Sequence, residues 1–135
     1  MLAVLMIARG VLAQKNRSDG NQLQMLADHV FHLSEVMLHD GTNPPAASRV
    51  YAYATLGAYE VAALAKGHIP ELNKKLRSDP RISLIATPRN VDVSFCSNYA
   101  MLEVGRALMP SGYMLEEKKK ALAKRFQQLK EYSAR

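Results

Sequence analysis

Four side chains on one stretch carry the densest set of chemically useful groups. Asp28, His32, Glu35 and His39 are separated by four, three and four positions, so on a helix they project from one face. Two imidazoles and two carboxylates at that spacing could hold a divalent cation. The same stripe also reads as solvated i,i+4 pairs, Asp28 with His32 and Glu35 with His39. It forms no named metal motif such as HExxH, so the surface-pair reading is preferred and no metal is assigned. Cys96 is the one cysteine among the 135 residues, which rules out a disulfide or thiolate metal cluster within them. With Phe95 and Tyr99 close by and no histidine near it in sequence, it reads as a buried thiol acting as a small hydrophobe rather than as a nucleophile.

The elements that would position these groups are helical. From Asn21 to Asp40 the apolar residues Leu23, Leu26, Val30, Leu33 and Met37 recur at alternating three and four, the period of one helix stripe, and Gly41 stands where a stop is expected. Asn43-Pro44-Pro45 predicts a rigid turn with a new helix starting directly after it. That helix, Ala46 to Lys66, is rich in alanine and carries Tyr51, Tyr53 and Tyr59; it is expected to be buried on most sides. Its two charges before Lys66, Arg49 and Glu60, are expected to join Tyr53 in a structural network, because a charge in such a segment is costly unless paired. Gly67 and Pro70 introduce a short basic helix over 71–77, and 81–90 reads as an ordered connector. A helix over 91–109 follows, broken by Pro110-Ser111-Gly112, and a last one starts near Tyr113 with Leu115, Leu122, Phe126 and Leu129 as its stripe. The expected fold is all-α, a bundle of about five helices.

Composition fits one domain: 48% hydrophobic and 22% charged residues are ordinary globular proportions. The net charge of +6 raises nucleic acid as a partner. The basic residues of 74–81 and 118–130 are, however, interleaved with acids and carry no alternating aromatics for base stacking, so they read as solvated helix faces and no nucleic-acid partner is expected. Residues 1–13, apolar and ending in small residues, read either as the trailing part of an export signal or as an N-terminal helix packed on the core. They are too short to cross a bilayer. With the polar linker that follows they form a 1–20 leader region ahead of a helical domain over 21–135, and the expected location is exported, periplasmic. The last helix shows no stop signal, which suggests a chain truncated at its C-terminus.

Residues 36–63, with His39-Asp40, Pro44-Pro45, Ser48-Arg49, Tyr51-Ala52-Tyr53 and Ala58-Tyr59-Glu60, are similar to the N-terminal helical region of bacterial vanadium-dependent haloperoxidase-like proteins, in the type 2 phosphatidic acid phosphatase superfamily. The likeness continues more loosely to Pro110. It implies an all-helical enzyme whose site holds vanadate or phosphate in a cradle of Lys, Arg and a Ser-Gly pair, with a histidine in line with the bound atom. In the family these groups lie in a C-terminal helical half. Pro110-Ser111-Gly112-Tyr113 carries Tyr113 where that half would have histidine, and Lys120 and Arg125 follow it in the wrong order. No catalytic or cofactor-binding residue is carried over. The chain is expected to be the scaffold half of a larger helical domain, inactive alone, its partner the missing C-terminal half or a second copy of itself. The alternative is a self-contained, non-enzymatic helical interaction module.

Overall fold

The computed structural model describes the backbone of residues 2–66 and 92–133, with side chains described over 20–65 and 92–128. Among these residues the fold is α-helical, with no strand: α1 (Leu2–His39), α2 (Pro44–Lys66), α3 (Val93–Leu108), a 3₁₀ turn (Gly112–Leu115) and α4 (Glu116–Ser133). Four α-helices stand where about five were expected; the short helix over 71–77 and the connector over 81–90 lie outside the described residues. The backbone of α1 is helical through 14–22, where a polar linker was expected.

Local chemistry sets the ends of these helices. Gly41 adopts φ of 60°, the left-handed conformation that costs glycine nothing. Thr42 N–H then bonds Met37 C=O at 2.9 Å and Gly41 N–H bonds Leu38 C=O at 3.2 Å, a Schellman closure of α1. Two residues on, Asn43 Oδ1 accepts from Ala46 N–H at 3.0 Å, and Pro44 occupies the first helical position, where a missing N–H costs nothing. Asp92 caps α3 the same way, accepting from Phe95 N–H at 2.7 Å.

The core gathers Leu33, Val36 and Met37 of α1, Val50, Ala54 and Ala58 of α2, Met101 and Leu102 of α3, and Leu115 and Leu122 beyond them. α2 packs most extensively on α3. Small residues permit the approach: a Cβ on Gly57 would stand 2.9 Å from Val104 Cγ2. Between α1 and α2, Ser34 Oγ donates to Val30 C=O at 2.9 Å and lies 2.7 Å from Tyr51 Oη. Its single hydrogen is thereby used, so Tyr51 donates to it.

Two expectations are corrected. α2 is not buried on most sides in its first half: it buries Val50 and Ala54 on one stripe, while Ser48, Arg49, Ala52 and Thr55 are exposed and Tyr53 is 54% exposed; from 56 to 65 no residue is exposed, and Ala58 and Ala63 are buried. α1 and α3 cover only one side of its first four turns. The apolar stripe of α1 is likewise divided, with Leu33 and Met37 in the core and Leu23 68% exposed.

Candidate functional site

The stripe of Asp28, His32, Glu35 and His39 does not converge. Asp28 Oδ1 accepts from Gln24 Nε2 at 2.9 Å. His32 Nδ1 is 2.8 Å from Glu35 Oε2, an i,i+3 pair instead of either i,i+4 pair expected. His39 is exposed at the end of α1. Among the described residues no group of three or more His, Cys, Asp or Glu is arranged to hold a metal ion.

The histidine that is built into the fold is one that residue spacing did not single out. His29 is 7% exposed, and its Nδ1 lies 2.9 Å from Asn98 Oδ1, across from α1 to α3. Asn98 Nδ2 donates to Ser94 C=O at 2.8 Å, which fixes the amide with its oxygen toward the imidazole. Nδ1 therefore carries the hydrogen and Nε2 carries a lone pair. Burial pushes the imidazole below its ordinary range, outweighing the Asn98 bond, which acts in the opposite direction. One signal in the sequence pointed to it: His29 is four residues before Leu33 and so falls on the buried side of α1. Its partner, 69 positions away, had no local signal.

His29 and His32 meet edge to face, ring centroids 6.3 Å apart. Both line a cavity of about 170 Å³ between α1 and α4, with Asp28 on one wall and Lys118 and Arg125 on the other. A larger, mostly apolar groove of about 750 Å³ runs between α1, α2 and α3, past Leu23, Leu26, Tyr59, Val93 and Met101, with Asp92 at its rim.

Charge is concentrated at the seam of α3 and α4. The Glu103 carboxylate lies between Arg106 and Lys119. Glu116 Oε1 stands 3.3 Å from Arg106 and 3.4 Å from Lys119. Lys119, 8% exposed, also holds its ammonium 5.2 Å above the Tyr99 ring, a cation–π contact. Arg106 first, then Lys119, holds the Glu103 carboxyl down at about 2, and Glu103 in turn raises both cations. Each charge here is met by its opposite, so the cluster offers no free base or nucleophile.

The remaining candidates lie apart from one another. Cys96 is half-buried, and burial pushes its thiol up, away from the nucleophilic thiolate. Arg49 is exposed and among the described residues no carboxylate pairs with it. Tyr53 lies on the same open face of α2, and Glu60, seven positions further along the helix, is half-buried. In the Pro110-Ser111-Gly112-Tyr113 turn, Ser111 N–H donates to Asp40 Oδ2 at 3.1 Å, tying the end of α1 to the end of α3. Bonding to Ser111 lowers the Asp40 carboxyl below its usual range. Gly112 is needed because a Cβ there would strike the Arg106 carbonyl.

An oxyanion does not fit that turn. Its one serine amide faces the Asp40 carboxylate, which repels anions, and Tyr113 points outward at 68% exposure. Among the described residues no helix is long and apolar enough to cross a membrane. No family model, no curated protein and no solved structure matches the chain.

Proposed function

We propose that this chain is the N-terminal helical scaffold of a vanadium-dependent haloperoxidase-like or phosphatase-like protein, without that protein's oxyanion-binding half and inactive alone. The resemblance of residues 36–63 motivates the reading, and the observation that carries it is apolar surface left uncovered. Leu23, Phe31, Leu38, Tyr53, Leu108 and Tyr113 are all exposed, and large apolar side chains open to water are what a face awaiting a partner presents. A second helical half would cover such surface and supply the Lys, Arg, Ser-Gly and histidine groups. Vanadate or phosphate would be held there, and export to the periplasm would suit the parent protein.

The purified chain is expected to show no phosphomonoester hydrolysis and no vanadate-dependent halide oxidation. Activity above background that survives purification overturns the reading. The groove between α1, α2 and α3 favours a second reading, a non-enzymatic module that receives an apolar partner segment or a second copy. A monomer that binds no apolar-surface dye such as ANS, with a cooperative melt, counts against both, since both require open apolar surface.

A further inference from the structure

The α1–α4 cavity has a charge balance that depends on its two histidines. From α1, Asp28 faces it and Glu35 pairs with His32; from α4, Lys118 and Arg125 face it; from α3, Asn98 contributes an uncharged amide. With both imidazoles neutral, two negative charges offset two positive ones. With both protonated, the same space carries a net +2.

We propose that the His29 and His32 pair is an acid-operated latch, whose protonation parts residues 21–32 of α1 from α3 and α4 while the Leu33, Leu102 and Leu115 core stays closed. The entering proton has a defined place. His29 Nδ1–H is already committed to Asn98, so the proton is added at Nε2. The cavity is the open space beside the ring. The hydrogen bond to Asn98 survives protonation. The new charge is what opens the seam, because an imidazolium forms in a covered position, 6.3 Å from a second ring, in a cavity that Lys118 and Arg125 also line and where Asp28 is the carboxylate that acts on it. Opening rehydrates all four cations.

The position of the pair along α1 determines what moves. Beyond His29 the helix is anchored by Leu33, Val36 and Met37, all in the core. Before it, Leu23 and Leu26 are exposed and only Met25 is partly buried against the core, so less apolar burial resists release there. Burial already favours the neutral form of His29, which places the release below its ordinary range of about 6.5.

Hydrogen exchange resolved by segment, from pH 8 to pH 5 and corrected for intrinsic rates, tests the latch. Protection of 21–32 is expected to fall about tenfold or more below pH ~6.5, while that of 93–108 holds. In His29→Gln, which keeps a polar group opposite Asn98 but cannot be charged, the drop should shrink. If that buried substitution unfolds the chain, Lys118→Gln with Arg125→Gln, both on the surface, keeps the test. Removing their charges should move the release to lower pH. Unchanged protection of 21–32 down to pH 5, or a release whose pH is the same in the Lys118 and Arg125 variant, overturns the proposal.

Discussion

α3 is gripped on two sides, and the two contacts differ in kind. Toward α2 the approach is close and carried by small and apolar side chains, with Gly57 against Val104 and with Ala54 and Ala58 on the buried stripe. Toward α4 it is a charged seam, in which Glu103, Arg106, Glu116 and Lys119 interlock above the Phe95 and Phe126 rings, stacked 4.4 Å apart. Dry contact stabilises through area and shape, so it tolerates changes in volume poorly. Ion pairs that keep partial contact with water contribute little net stability, because solvent screens them and their side chains lose freedom. They do fix which turn of α4 lies against which turn of α3. The lesson is that the dry side should set how stable this fold is, and the charged side its register.

Removing volume from the centre should therefore have the largest effect. Leu102 is fully buried, and Leu102→Ala should lower the unfolding free energy by about 2–5 kcal/mol in urea melts. A loss below about 1 kcal/mol would mean that the core does not dominate. Adding volume at the α2–α3 approach comes next: Gly57→Leu should cost about 1–3 kcal/mol. Val104→Ala in the same chain should return part of that loss, and this coupling is measured by a double-mutant cycle. If the two changes simply add, Gly57 does not pack against Val104 as described.

The charged seam should give the smallest effect and the one most dependent on conditions. Glu103→Gln should cost less than about 1 kcal/mol at low salt and close to nothing in 1 M salt. Its pH dependence has a definite sign. The folded carboxyl is held at about 2 against an ordinary 4.5, so its stabilising contribution is present above pH 4.5 and is lost as pH falls toward 2. Melts of the parent chain and of Glu103→Gln should thus converge across that window. Parallel curves there would show that the pairs with Arg106 and Lys119 do not form in solution.

The local punctuation of the fold was legible in the residues. Gly41, Asn43-Pro44-Pro45 and the Pro110-Ser111-Gly112 break all fall at helix ends, because caps and turns are made by residues within a few positions of one another. The apolar period of α1 was equally plain, but not where along the helix it would be covered. The candidate site was legible only in part: the Asp28, His32, Glu35 and His39 stripe exists as a face, yet its members take separate partners.

By itself, then, the sequence determined that the described residues are helical and where α1 stops, α2 starts and α3 ends, though not where α1 begins. Tertiary structure alone decided that α2 shows one open face, that His29 rather than His39 is built into a seam, and that Lys119 is buried over the Tyr99 ring and paired with Glu103. The physical reason is range. Backbone caps are settled by short-range sterics and hydrogen bonds, whereas His29 with Asn98, Asp40 with Ser111 and Glu103 with Lys119 become neighbours only when packed helices bring distant turns together.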